Sequence, residues 1–191
     1  MSRKKKSVSK LVKMPVEKPV ELLRLDISYG PVTPEGYTRF VPEGETKWPY
    51  KDNSVDEILS AYIFMRIPGK LRGKFMDEAW RVLKPEAKMT IISKYWSSAG
   101  AIQDYTFEWP PLVEQSFLYF NKGWREVNKV DYPLVCDFDF VYGHGYDPET
   151  QNRGDDTRPF WVKHYTNTVN DLQVVLTKRP LVETKPEEVK K

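Results

Sequence analysis

The sequence contains very few of the residues that build disulfides and most metal centres. Among its 191 residues there is one cysteine, Cys136, and there are two histidines, His144 and His164. A lone cysteine has no partner for an intramolecular disulfide, which favours a reducing compartment. No apolar run approaches the length of about 18 residues that a transmembrane helix needs. The basic N-terminus also lacks the apolar stretch of a signal peptide. We therefore expect a cytoplasmic protein that does not span a membrane.

Positive charge is concentrated at the N-terminus. The chain has a formal net charge of +3, yet residues 1–20 alone hold seven lysine and arginine residues against one glutamate, so the rest of the chain is acidic in balance. We predict that residues 1–20 form a disordered basic arm. This arm is either simply solvated or makes a weak contact with nucleic acid or an acidic partner. The cluster that would make the contact consists of Arg3, Lys4, Lys5 and Lys6.

The remaining chain is predicted to be one folded domain over residues 21–181, followed by a flexible tail over residues 182–191. Strand-like segments alternate with helical ones along this domain. The clearest helix is predicted over residues 70–84, where apolar side chains recur at helical spacing until Pro85 ends it. The strand-like segments are residues 22–27, 36–41, 55–64, 88–96, the stretch "PLVCDFDFVYG" and residues 171–179.

This alternation favours an α/β fold with a parallel sheet that is covered by helices on both faces. Ligands of such sheets bind outside the carboxyl ends of the strands. The positions to search for a site are therefore those after Ile27 and after Phe64.

Three stretches carry a resemblance to a known family: "WPYKDNSVDEI" at 48–58, "FMDEAWRVLKP" at 75–85, and the run from "YWSSAGAIQDYTFEWPP" to "SFLYFNKGWR" over 95–125. They resemble class I S-adenosylmethionine-dependent methyltransferases, and most closely a small branch often found in bacteriophage genomes. The resemblance implies a Rossmann-like methyltransferase fold whose mostly parallel sheet ends in a C-terminal antiparallel hairpin. It also implies S-adenosylmethionine as the cofactor, and the host cytoplasm as the location if a phage encodes the chain. The sulfonium is already an activated methyl donor, so such an enzyme mainly positions its reactants.

The cofactor motifs depart from the family pattern where it matters for binding. In the first loop, Asp26 and Gly30 match the family, but Ser28 stands where the first glycine is usual. The acid that binds the ribose hydroxyls at the end of the second strand is replaced by Phe40 or Val41. Glycines in such loops let the backbone approach a ligand closely, and a phenylalanine offers no hydrogen-bond acceptor.

Two further departures concern the segments around the third strand. The stretch between "GYTRFV" and "WPYKDNS" is only about six residues long, so the strand that the family usually has there is missing and the N-terminal half is shortened. In "SAYIFMRIP" the family's histidine, glutamate and second histidine are replaced by Tyr62, Met65 and Arg66. Glu86 and Ala87 stand where paired glycines are common.

We therefore predict a degenerate cofactor pocket whose remnants are Asp26, Ser28, Gly30 and Tyr62. The preferred hypothesis is a non-catalytic binding or structural protein with a protein partner. The alternative is an active S-adenosylmethionine-dependent methyltransferase with an atypical pocket, in which Glu43 or Glu45 replaces the ribose contact. If catalysis survives, Asp104 or Glu108 is the candidate for orienting or deprotonating the acceptor.

Two other groups of residues invite a functional interpretation. Cys136, Asp137, Asp139, His144 and Asp147 are of metal-binding types, but their spacing matches no zinc motif, and we predict no metal site. The second group would share a face of one continuous helix, where it either stacks on nucleic acid or packs in the core or a dimer interface. Its members are Phe117, Phe120 and Trp124.

Overall fold

The computed structural model of the protein describes residues 21–43 and 46–180. The predicted basic arm and flexible tail lie outside the described residues, and so does Glu45. No helix within the described ranges is long and apolar enough to cross a membrane.

A six-stranded sheet forms the centre of the described chain. Its order is β2-β1-β3-β4-β6-β5. The pairs β2–β1, β1–β3 and β3–β4 are parallel, whereas β6 runs antiparallel to both β4 and β5. The strands are β1 Arg24–Asp26, β2 Thr38–Arg39, β3 Val55–Ala61, β4 Leu83–Lys94, β5 Phe138–Tyr146 and β6 Val169–Lys178. The α/β fold and its C-terminal antiparallel pair are therefore confirmed.

The helices are short apart from α1. They are α1 Gly69–Val82, α2 Lys122–Asn128, α3 Pro148–Gln151 and α4 Arg158–His164, with 3-10 turns at Phe64–Arg66, Ala99–Ala101 and Glu114–Phe120. Each of these helices and turns follows β3 in the chain. Residues 27–37 between β1 and β2 form no helix, nor do the described residues between β2 and β3. The predicted shortening of the N-terminal half is thus confirmed.

The core lies on one face of the sheet, where most of the buried strand residues are apolar. From β3, β4 and β6 this face carries Ile58, Met89, Ile91, Leu172, Val174 and Leu176. The buried stripe of α1 covers it with Phe75, Met76, Ala79 and Val82, the i, i+4 and i, i+3 spacing of an amphipathic helix. Burying apolar side chains of this size contributes about 1.5 to 3 kcal/mol each.

The opposite face is more open than a parallel sheet usually is. Thr90 and Val175, which are paired across β4 and β6, are half-buried there. Their neighbour Val141 on β5 is 68% exposed. The prediction of a sheet covered on both faces is therefore wrong for the described chain, because no helix precedes β3 to cover this one.

Several predicted elements differ in extent from the observed ones. The strand predicted over residues 55–64 ends at Ala61, because Tyr62 takes a positive φ of 60° and the 3-10 turn follows. The helix predicted over residues 70–84 ends at Val82, since Leu83 is already extended and begins β4. Pro85 therefore lies within β4, at the irregular pairing with β3 that tolerates a missing N–H.

The only cysteine is inaccessible in the folded chain. Cys136 is fully buried, and burial together with the nearby Asp77 carboxylate raises the pKa of its thiol. Both effects suppress the thiolate, which is the reactive species. We expect native protein to react with a thiol-specific disulfide reagent at least about a hundredfold more slowly than protein unfolded in urea. Equal rates in the two states would contradict the burial of Cys136.

Candidate functional site

The carboxyl ends of β1 and β3 lie side by side, where the sequence predicted the cofactor site. Asp26 ends β1 with its side chain fully buried. Its Oδ1 accepts a hydrogen bond from the backbone N–H of Ser28 at 3.0 Å, and its Oδ2 accepts one from Nη1 of Arg39 at 2.7 Å. Although burial opposes ionisation, hydrogen bonds from Ser28 and Arg39 hold the pKa of Asp26 below its usual value. The loop after β1 is thus built around an ion pair between the buried Asp26 and the partly exposed Arg39.

Arg39 was missed in the sequence, and it closes the loop. It is the last residue of β2, and its Nη2 donates to the carbonyl oxygens of Ser28 and Gly30, the second at 2.6 Å. The Arg39 guanidinium therefore donates hydrogen bonds to the Asp26 carboxylate and to two backbone carbonyls of the loop at the same time. The sequence offered one signal for this role: Arg39 directly precedes Phe40, the position where the resemblance led us to expect an acidic residue.

The other two loop residues are held by β3 and by backbone conformation. Ser28 Oγ accepts a hydrogen bond from the N–H of Ala61 at 3.0 Å, which ties the loop to the end of β3. Gly30 has φ +125°, a conformation that L side chains rarely adopt, and a Cβ there would meet no atom within 4 Å. The turn has kept the glycine that its backbone requires, while the side chain of Ser28 is used internally.

A second cation lies across the ends of the strands. The guanidinium carbon of Arg66 stands 3.8 Å from the ring centroid of Tyr29 and 4.7 Å from that of Phe107. Its Nη2 donates to Asp104 Oδ2 at 2.7 Å, and Nη1 donates to Thr106. Stacking between two rings and pairing with a carboxylate fixes a guanidinium in place. Tyr29, Arg66 and Phe107 therefore form a layer over the loop.

The two catalytic candidates differ in their surroundings. Asp104 accepts hydrogen bonds from Thr106 and from Arg66, and these lower the pKa of its carboxyl group. A lowered pKa and a fixed partner make a carboxylate a weaker base. Glu108 is exposed, and its backbone N–H donates to the carbonyl of Met65 at 2.9 Å. A catalytic role for either residue stays a prediction.

The Tyr62 side chain lies over the ends of β4 and β6. Its hydroxyl donates to Asp171 Oδ1 at 3.1 Å, and Lys94 Nζ lies 2.8 Å from the same oxygen. Burial and the Asp171 charge raise the pKa of Tyr62. The structure therefore brings Asp26, Ser28 and Gly30 together, whereas Tyr62 belongs to a separate polar cluster.

The end of β2 provides no carboxylate for a ribose. Phe40 packs edge-on against Trp48 and Tyr50, with ring centroids 5.2 and 5.3 Å away. Trp48 in turn contacts Phe75 of α1, so Phe40 joins the core. Glu43 is exposed, and its backbone carbonyl accepts hydrogen bonds from Thr46.

The metal-type residues are dispersed. Asp137 and Asp139 both face Arg179, at 3.7 and 3.6 Å. His144 Nε2 pairs with Glu114, while Asp147 caps α3 through the N–H groups of Glu149 and Thr150. Among the described residues, no group of three or more His, Cys, Asp or Glu side chains could hold a metal ion.

The aromatic residues of "SFLYFNKGWR" do not share one helix. Phe117 and Phe120 are buried in the 3-10 turn and contact Phe64, so for these two the core interpretation is right. Asn121 then caps α2 by accepting a hydrogen bond from the N–H of Trp124, which restarts the helix in a new direction.

Comparisons with known proteins agree with this fold. A methyltransferase domain family matches residues 15–91, which is less than half of the chain. No curated protein matches the sequence. A S-adenosylmethionine-dependent methyltransferase of Archaeoglobus fulgidus shares the fold, with a TM-score of 0.50 and 11% identity over 75% of this chain and 69% of that one.

Two other solved structures match with lower TM-scores. A chain in the complex of the Haloferax volcanii Trm112 methyltransferase activator is 16% identical with a TM-score of 0.47; the match covers 78% of this chain and 64% of that one. A Methanosarcina mazei S-adenosylmethionine-dependent methyltransferase is 14% identical with a TM-score of 0.42, over 75% and 68% of the two chains. This chain thus spans less than two thirds of the Haloferax match. The family match therefore concerns residues 15–91, and the likeness to the Archaeoglobus protein shows a methyltransferase-like fold.

Proposed function

We propose that the protein is a non-catalytic member of the methyltransferase-like proteins, and that it acts by binding a protein partner rather than by transferring methyl groups. The observation that carries the proposal is the guanidinium of Arg39. It engages the buried Asp26 and the carbonyls of Ser28 and Gly30, which are the groups of the first loop that a cofactor would approach.

A cofactor that displaced the Arg39 side chain from the loop would do so at an energetic cost. Displacing the guanidinium would leave the buried Asp26 carboxylate without its counter-ion, at a cost of about 2 to 3 kcal/mol because Arg39 is partly exposed. No carboxylate at the end of β2 repays this cost by binding ribose, because Phe40 is packed against Trp48 and Tyr50. The layer of Tyr29, Arg66 and Phe107 adds a further obstacle above the loop.

The open sheet face supports a binding role. A sheet of this kind normally carries helices on both sides, and here β4, β5 and β6 present half-buried and exposed apolar side chains such as Val175 and Val141. Exposed apolar surface of this sort commonly marks a protein interface. In this account the fold is retained as a scaffold, and fold alone does not require catalysis.

An assay of methyl transfer from labelled S-adenosylmethionine tests directly whether the protein is catalytic. Purified protein is incubated with methyl-labelled S-adenosylmethionine and, in separate reactions, with nucleic acid, with protein extract and with small-molecule acceptors. We expect no labelled product and no S-adenosylhomocysteine above a no-protein control. Formation of S-adenosylhomocysteine that depends on the protein and is lost in Asp26→Asn would overturn the proposal.

The second candidate is an active methyltransferase with an atypical pocket. It is favoured by the retained Asp26–Gly30 turn, including the positive φ of Gly30 and the open space beside it. This candidate requires Arg39 to move away from the loop when the cofactor arrives. It therefore predicts cofactor binding that becomes tighter in Arg39→Ala, whereas the preferred proposal predicts no binding by the native chain.

A further inference from the structure

A cavity of about 720 Å³ lies between the first half of α1 and residues 110–134, away from the carboxyl ends of β1 and β3. The residues described at the strand ends do not line this cavity: Asp26, Ser28, Arg39 and Tyr62. A volume of several hundred Å³ is typical of sites for small organic molecules. The cavity is independent of the proposed function, since it does not involve the cofactor loop.

Two glycines of α1 let the cavity walls approach the helix. A Cβ on Gly69 would lie 3.0 Å from the carbonyl oxygen of Trp109, and one on Gly73 would lie 2.6 Å from Cδ2 of Leu134. The chain therefore crosses α1 in direct contact at two points that are four residues apart. The space between these crossings is the cavity.

The first wall is fixed by a buried arginine. Arg72 is only 6% exposed. Its guanidinium donates to the carbonyls of Ile67, Pro110 and Glu108, at 3.0, 2.6 and 2.9 Å. The segment over Gly69 is thereby held against α1.

The second wall is fixed by a carboxylate and another buried arginine. Asp77 Oδ1 accepts hydrogen bonds from the N–H groups of Val135 and Cys136, at 3.0 and 2.9 Å. Arg125 donates to the carbonyls of Tyr119 and Leu134, at 2.7 and 3.2 Å. With both walls bonded to buried charged groups, the cavity is preformed rather than created by a ligand.

The lining combines apolar and aromatic side chains with exposed lysine side chains. Its apolar members include Phe64, Leu112, Tyr119, Phe120, Tyr132 and Leu134. Lys70 also lines the cavity and is exposed; it forms no ion pair with any residue in the described ranges. Asp77 is the acidic residue of the lining, and its carboxylate already accepts two backbone hydrogen bonds from the second wall. Ser116 Oγ accepts a hydrogen bond from Val113 at 3.1 Å, which leaves the hydroxyl hydrogen to donate to a ligand.

From this geometry we infer that the cavity binds a small amphiphilic molecule with an aromatic or aliphatic body and one anionic group. The body lies against the side chains of Leu112 and Leu134 and against Tyr119 and Tyr132, whose rings contact each other at 5.7 Å between centroids. The anionic group is placed at the opening, beside Lys70, and accepts the hydrogen bond of Ser116.

Two fluorescent probes that differ by one group test this inference. Anilinonaphthalene sulfonate carries the anion, and N-phenylnaphthylamine has the same ring system without it. We expect the sulfonate to bind at one site per chain, with the melting temperature not lowered. Lys70→Gln is expected to weaken binding of the sulfonate about threefold to fivefold and to leave the neutral probe unchanged. The matched control Lys51→Gln, at another exposed lysine, is expected to change neither.

The location is tested separately. Ser116→Met places a flexible apolar side chain in the cavity and is expected to weaken both probes about tenfold, with the fold checked by circular dichroism. In the native protein, methyl NMR signals of Leu112 and Leu134 are expected to shift when either probe is added. Unchanged methyl signals, or several equivalent binding sites, would overturn the inference. An equal affinity for the two probes would overturn its anionic part. None of these results depends on whether the protein binds S-adenosylmethionine.

Discussion

Replacing Arg72 by methionine is expected to lower the free energy of unfolding by about 3 kcal/mol or more. The guanidinium is buried and donates to the carbonyls of Ile67, Glu108 and Pro110. Methionine has a similar length but no donor, so these buried acceptors lose their partners. Urea unfolding at neutral pH measures the change.

The control for this prediction is Lys70→Met on the same helix. Lys70 is exposed, so we expect a change within about 0.5 kcal/mol. If Arg72→Met costs no more than Lys70→Met, then Arg72 does not hold the segment across Gly69, and the preformed wall of the cavity would be wrong as well.

The second large effect is expected at Arg39. Arg39→Met removes the counter-ion of the fully buried Asp26 and leaves that carboxylate with hydrogen bonds from Ser28 and Thr33. Breaking a fully buried pair costs about 3 to 5 kcal/mol. Because the Arg39 side chain is 31% exposed, solvent screening reduces the expected loss to about 2 to 3 kcal/mol at pH 7.

This loss depends on pH in a defined direction. The folded-state pKa of Asp26 lies below its unfolded value of about 3.9. The stabilisation is therefore fully present above about pH 4 to 5 and is lost as the pH falls through the folded-state pKa. The cost of Arg39→Met should be largest at neutral pH and should shrink in acid, where Asp26 is protonated.

Denaturant titrations of both proteins at pH 7 and near pH 3 measure this difference. Arg24→Met is the matched control on the neighbouring strand, because Arg24 pairs with Glu57 at 3.4 Å and both side chains are 37% exposed. We expect it to cost less than about 1 kcal/mol. A pH-independent loss in Arg39→Met would show that the arginine acts through packing and not through Asp26.

Much of the fold could be predicted from the sequence, because its signals are local. The apolar spacing of residues 71–83 predicts α1 wherever it packs, and β-branched residues predict the central part of β4. The ends of elements were less accurate. Pro85 was expected to end a helix but lies inside β4, since Leu83 is already extended and the strand pairing is irregular there.

The apolar run before Asp26 predicts the carboxyl end of β1, where the candidate loop lies. The contacts of that loop could not be predicted, and a cofactor role for it stays a prediction. The ion pair of Asp26 with Arg39 spans 13 residues, and the pair of Arg66 with Asp104 spans 38. Such pairs depend on which strands become neighbours, and local patterns do not contain that information.

The cavity was outside the reach of sequence reasoning for the same reason. Gly69 and Gly73 are ordinary residues of an α-helix until the chain at Trp109 and Leu134 crosses them. Only in the folded chain does the absence of a Cβ at these positions allow the two segments to contact α1. For Phe117 and Phe120 the sequence left open stacking on nucleic acid, core packing and a dimer interface, and the structure buries both in the adjoining core.

We propose that the protein's own side chains close the end of β1 to S-adenosylmethionine. Calorimetric titration of the purified chain with S-adenosylmethionine, and separately with S-adenosylhomocysteine, tests it most directly. We predict no saturable heat at millimolar ligand concentration for either compound. Micromolar binding of either one, weakened by Asp26→Ala in a variant that remains folded, would contradict the claim and establish a functional pocket at the end of β1.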